Sequence, residues 1–271
     1  MHDPRMMCGL LGFPGMGIKG AAWATVIGQI TGALISIILN IKINKEINFN
    51  PKGFKPQSKI IIDIYKVGIP SILLGSIGSV LTYLLNLILG AFSTVAIAVY
   101  GVYFKLQSFV FMPVFGLNNG IVPIVAYNFG AKYKKRIIDS IKMCALVALI
   151  IMGVGTLIFE VFPTQLLAMF SPNEEMLEIG IPALRIIAIH FPIAAIGITF
   201  TSVFQAFGRG FLSMCVSFIR QIFALLPSAW LLSLTGNINN IWWAFVIAEL
   251  FSLLACIFAM KNVYKTQIKQ L

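Results

Sequence analysis

Uninterrupted apolar runs constrain this chain more than any other feature. Seven of them, separated by polar or Gly/Pro-rich breaks, occupy Gly20 to Asn40, Val67 to Ala91, Thr94 to Tyr127, Ile137 to Phe162, Ile179 to Phe207, Phe211 to Leu234 and Ile241 to Met260. Each reaches the roughly 20 residues that a helix needs to cross about 30 Å of hydrocarbon. Backbone groups in lipid must find their partners within the segment, so helices are expected, and no run has the ten-residue alternation of a membrane barrel. The expected fold is an all-α membrane protein with seven transmembrane helices here. Charge content agrees: 11% of the 271 residues are charged, against about 25% in soluble domains.

The third run is too long for a simple crossing, since 34 residues at 1.5 Å each would extend about 51 Å. Pro113, Gly116, Gly120 and Pro123 are the places where it can bend, because proline deletes an intrahelical hydrogen bond and glycine allows curvature. Two readings stand: a long helix projecting beyond the bilayer, or a hinge at those four residues.

A net charge of +11 raises the question of a nucleic-acid partner, and its distribution answers it. Lys42, Lys45, Lys52, Lys55, Lys59 and Lys66, then Lys132, Lys134, Lys135 and Arg136, then Arg209, then Lys261, Lys265 and Lys269 all fall on alternate connections. The intervening connections carry Arg5 and a cluster of Glu174, Glu175 and Glu178. This is the positive-inside pattern, which places the C-terminus in the cytoplasm of a multi-pass cell-membrane protein. An anionic lipid leaflet explains the basicity, and no nucleic acid is expected.

The sequence also compares with itself. Trp23-Ala-Thr-Val-Ile-Gly-Gln in the first run is similar to Trp243-Ala-Phe-Val-Ile-Ala-Glu in the last, 220 residues on. The repeating unit would then be six helices, as in transporters built from two parallel repeats. Val67 to Met260 is one such unit and Gly20 to Asn40 the final helix of a preceding one. The expected organisation is the end of an N-terminal lobe at 1–40, a basic cytoplasmic linker at 41–66, a six-helix C-lobe at 67–260 and a cytoplasmic tail at 261–271.

Four segments carry a resemblance to the multidrug and toxic compound extrusion (MATE) transporters: Gly17 to Gln29, Val67-Gly-Ile-Pro-Ser71, Met112 to Lys132, and Phe204-Gln-Ala-Phe-Gly-Arg209. Met112 to Lys132 is the most specific, with its proline and glycine breaks leading into Tyr-Asn-Phe-Gly-Ala and a basic loop. The resemblance implies twelve helices in two lobes, with sixth helix and C-lobe represented here. It further implies a cation-coupled antiporter that exports drugs or other organic cations by alternating access, coupled to Na⁺ or H⁺. A lipid-linked saccharide flippase of the same superfamily is the alternative.

By the same resemblance Asp3 and Thr25 match two of the cation-coupling residues, their companions belonging to the N-lobe. An enzyme, a metal site and a cofactor are not expected: the chain has no phosphate-binding glycine loop and no metal-spaced Cys/His cluster. A retinal protein would need a lysine in the last span, which has none before Lys261.

Polar residues within spans should face the bundle, since lipid exposure is costly. Tyr83, Asn86, Gln107, Met112, Phe200 and Gln205 are the candidate lining of a substrate cavity, with Phe104, Phe109, Phe111, Phe115, Phe204 and Phe207 as aromatic support for cationic ligands. For Asn86, Gln107 and Gln205 interhelical hydrogen bonding competes with that role. Lys105 and Glu249 are expected to pair with charges on other helices, and His190 to pack.

Overall fold

A computed structural model describes residues 17–43 and 57–270, and every regular element among them is a helix. In chain order these are α1 (Gly17–Ile43), α2 (Ser58–Gly90), α3 (Thr94–Gly130), α4 (Lys134–Val161), α5 (Pro163–Ala168), α6 (Glu174–Ala188), α7 (Phe191–Ala206) and α8 (Gly210–Phe218). A π-helical segment (Ile219–Leu225) joins α8 to α9 (Leu226–Ser233), followed by α10 (Ile238–Ile241) and α11 (Trp243–Val263), which ends in a second π-helical segment (Tyr264–Ile268). The chain divides into two compact units, Met1–Asp63 and Ile64–Leu271.

Among the described residues, five helical stretches are long and apolar enough to cross a membrane, and the bent pair α6–α7 makes a sixth. The remaining expected run, Val67 to Ala91, falls on the continuous 33-residue helix α2 as far as Gly90. The outer faces of the second unit are strongly apolar: Phe109, Phe211, Phe223 and Phe258 are all more than two-thirds exposed. In lipid such faces are at home. Helix association then rests on close packing and buried polar contacts rather than on expulsion of water.

A sharp bend stands between α6 and α7. Helix α3 continues for 37 residues through both Pro113 and Pro123, whereas α6 and α7 meet at 48°. Pro192 is the cause: it cannot donate to the carbonyl four residues back, that of Ala188. Thr156 Oγ1 on α4 supplies the missing donor, 3.1 Å from Ala188 O, while sharing its proton with Met152 O at 3.0 Å. Thr156→Val is therefore expected to leave a buried carbonyl unpaired and to cost about 1–2 kcal/mol, read as a lower denaturation midpoint in detergent. Ser at this position should retain most of the stability.

Side-chain contacts gather the basic connections at one end. Lys134 Nζ donates to Lys269 O at 3.2 Å, and Arg209 Nη2 to Thr266 Oγ1 at 3.2 Å, so the α3–α4 and α7–α8 connections meet the C-terminal segment. At the other end Ser93 Oγ caps α3 by accepting from Val95 N and donates to Glu175 Oε1 at 2.7 Å. The clustered glutamates open α6 under an Asn173 cap, where the helix dipole favours negative charge. Residues 261–270, expected as a tail, continue α11 back onto the bundle with Val263 and Ile268 buried.

The Tyr127-Asn-Phe-Gly-Ala segment closes α3. Gly130 stays helical, and Lys132 takes the left-handed conformation at φ 59°. Lys132 N bonds Phe129 O at 3.1 Å and Tyr133 N bonds Asn128 O at 2.9 Å, closing the helix as a Schellman motif. The end of α7 closes the same way, with Gly208 at φ 72°.

Candidate functional site

The buried residues of the second unit form two clusters, one of which includes Leu85, Tyr103, Met152, Phe191 and Trp242, the other Val125, Ile137, Phe204, Cys256 and Ile268. Two adjoining cavities share Phe115, Ile198 and Arg220 and carry several polar side chains on their walls. The larger, about 330 Å³, is walled by α2, α3, the α6–α7 junction, the first π-helical segment and α11. Its walls are aromatic: Tyr103 meets Phe245 edge-on at 5.6 Å, and both contact Tyr100 at 6.2 Å. His190 packs among Phe111, Phe191 and Phe245, with Nδ1 against Ile187 O. This is the packing role expected of it.

Two charged groups meet beside these rings. Glu249 on α11 is 4% exposed, and its Oε1 lies 3.7 Å from Arg220 Nη1. That separation is an ion pair without a hydrogen bond, and Oε1 has no hydrogen-bond partner among the described residues. Space for the carboxylate comes from α7, where a Cβ added at Gly197 would stand 3.3 Å from Oε1. Arg220 sits in a π-helical turn just before Pro227. The wider turn fits there because the proline ring crowds the carbonyl four residues earlier, and π-turns recur at functional sites. Lys105, by contrast, directs its ammonium at the Phe170 ring, 5.9 Å from the centroid.

The smaller cavity, about 210 Å³, is polar, with Asn118, Asn119, Thr201, Ser202, Gln205, Ser217 and Ser252 around Arg220. Asn118 is buried, donates to Val114 O at 2.8 Å and faces Cys144 Sγ through Oδ1.

The expected lining residues separate into groups. Gln107 and Met112 line the aromatic cavity, and Gln205 lines the polar one. Tyr83 and Asn86 border an open groove that shares Gly78, Thr82 and Phe104 with the aromatic cavity. Phe200 packs partly buried against the cluster around Phe204 and lies on none of these walls. Tyr100, Tyr103 and Phe245 were not among the candidates, although aromatic residues within apolar runs were the signal that marked their neighbours. Thr25 is on α1, and Asp3 lies outside the described residues. Among the described residues no group of three or more His, Cys, Asp or Glu is placed to hold a metal.

Comparison with known proteins places this architecture. The chain is 29% identical over 247 residues to the multidrug export protein MepA of Staphylococcus haemolyticus, covering 91% of this chain and 53% of that protein. It is 30% identical over 268 residues to MepA of Staphylococcus aureus (strain NCTC 8325 / PS 47), covering 97% and 56%. The chain thus spans about half the length of the curated relatives it matches. Among solved structures, an inward-facing multidrug resistance MATE family transporter of the MOP superfamily superposes with a TM-score of 0.84 at 20% identity, over 99% of this chain and 62% of that one. An outward-facing one gives 0.80 at 20% identity, over 100% and 60%. The MatE family profile matches residues 70–231, more than half of the sequence, and on that match the chain belongs to the MatE family of transporters.

Proposed function

We propose that this chain is the C-terminal part of a cation-coupled antiporter that exports drugs or other organic cations across the cell membrane by alternating access. The observation that carries the reading is the aromatic cavity holding a buried carboxylate in a lobe of the MatE fold. Aromatic faces attract organic cations, and a carboxylate in a dry site adds charge selectivity. The relatives named as multidrug export proteins support the same substrate class. Relative motion of two lobes opens such a cavity to one side and then the other. Coupling to Na⁺ or H⁺ rests with Asp3, Thr25 and an N-terminal lobe that completes the transporter. Pro113, Gly116, Gly120 and Pro123 serve as the point where α3 flexes: no atom stands within 4 Å of a Cβ added at either glycine, so curvature there meets no obstruction.

The gathered basic connections support a cytoplasmic C-terminus, and the bilayer is the lobe's principal partner. The test is uptake of ethidium into inverted membrane vesicles under an imposed Na⁺ or H⁺ gradient. Vesicles would carry the chain alone or joined to an N-terminal lobe. Gradient-dependent uptake by the joined form, and none by the chain alone, is the expected result. Absence of gradient-dependent movement in both would overturn the reading.

A further inference from the structure

Resting on that reading, we propose that Glu249 is the anion that receives an organic ammonium or aromatic cation in this lobe, and that Arg220 is a tethered stand-in which the ligand displaces. Three observations converge. First, the Glu249 carboxylate is almost wholly buried, yet Oε1 makes no hydrogen bond among the described residues, and Glu249 is one of the residues around the larger cavity. A buried carboxylate oxygen left without a donor is costly, so a ligand that donates to it recovers that loss. Second, Tyr103 Oη, on the same cavity, is also buried without a partner among the described residues. Two unused polar atoms therefore lie in the cavity wall, among the rings of Tyr100, Tyr103 and Phe245, where a ligand that displaces Arg220 can reach them.

Third, Arg220 holds Glu249 loosely. At 3.7 Å with 30% of its side chain exposed, it lines both cavities rather than one. The guanidinium has somewhere to go: withdrawn from Glu249 it reaches the polar cavity of Asn118, Gln205 and Ser217, where hydroxyl and amide oxygens accept. The aromatic walls favour a soft, delocalised or lipophilic cation over a small hydrated one. Exchange of one cation for another on the same carboxylate avoids leaving a bare charge in the membrane at any stage.

The test measures equilibrium binding of ethidium, an aromatic cation, and of N-phenyl-1-naphthylamine, a neutral aromatic probe, to the 271-residue chain in lipid nanodiscs. Glu249→Gln is expected to weaken ethidium about tenfold, the loss of one buried charge contact, while the neutral probe binds as before. Arg220→Gln removes the competitor and is expected to tighten ethidium several-fold. The double variant R220Q/E249Q leaves no unpaired charge to compromise folding, and should bind the neutral probe normally and ethidium weakly. A purely structural ion pair would move both single variants in the same direction. Unchanged ethidium affinity in Glu249→Gln or in the double variant, or weaker affinity in Arg220→Gln, overturns the proposal while leaving the cavity in place. Failure of the wild-type chain to bind either probe overturns both this proposal and the cavity's assignment as the cargo site.

Discussion

Replacing Arg220 with methionine is expected to lower the stability of the chain by about 3 kcal/mol, the low end of the cost of stranding a buried charge. Glu249 is 4% exposed and would remain without its counter-ion, whereas Arg220 is 30% exposed, which moderates the pair's worth. Replacing both, as Arg220→Met with Glu249→Gln, should recover most of the loss, because an apolar and a neutral polar side chain of similar volume make no such demand. Chemical denaturation of the four proteins in detergent gives the double-mutant cycle directly. A coupling energy near zero, with the two single losses simply adding, would mean that the 3.7 Å separation reflects proximity without interaction. Ethidium supplies an independent sign. A cation that occupies the place of Arg220 should stabilise Arg220→Met more than it stabilises the wild type, since at a given ligand concentration the stability added by binding rises with the logarithm of affinity.

Much of the fold was legible because lipid simplifies the code. Run length alone marks spans, and the alternation of Lys and Arg marks which connections share a side. The contacts of Lys134 with Lys269 and of Arg209 with Thr266 join connections that charge had already grouped. The break between α6 and α7 was not legible. Pro113, Pro123 and Pro192 look alike in sequence, and each removes one donor. Of the three, Pro192 alone stands at a break of more than 40°, and the Ala188 carbonyl it frees is met by Thr156 from 32 residues earlier, a pairing that no local pattern announces. The turn after α3 has no local sequence signal either: Gly130 stays in the helix and Lys132, a residue for which a positive φ is costly, takes the left-handed place.

The candidate site was legible in kind but not in membership. Glu249 was expected to pair across helices, and it does. That its partner would be Arg220 follows from the register of a π-helical segment, which sequence periodicity cannot supply. Gln107, Met112 and Gln205 were chosen as polar or pliable residues in apolar runs, and they line cavity walls. Phe200 was chosen by the same logic and packs into a cluster instead. Glu249 reaches the bundle interior from α11, where Gly197 leaves room beside its carboxylate.

Close backbone approach between α3 and α4 sets the second large expectation. A Cβ at Gly155 would overlap Val110 Cγ1 and lie 3.1 Å from Cγ2. A helical valine holds essentially one rotamer, so its methyl groups cannot simply rotate aside, and in lipid the packed small residue is itself what holds the helices together. Gly155→Ala gains about 1 kcal/mol of helix propensity against overpacking of typically 1–3 kcal/mol, and the contact is severe enough that a net loss of about 2 kcal/mol is expected. Combining it with Val110→Ala should restore much of that, because the added methyl then fills the space the valine vacates. The consequence reaches beyond stability. Thr156 follows Gly155 directly and carries the hydroxyl that satisfies Ala188 at the bend, so separating α3 from α4 also draws that donor away from α6. Gly155→Ala should therefore raise the hydrogen-exchange rate of the amides around Ile189 and His190 before global unfolding, while Gly155→Ala with Val110→Ala returns it toward the wild-type rate. Unchanged stability in Gly155→Ala would show that the two helices part without cost, and would remove the close approach from any account of how this lobe is held.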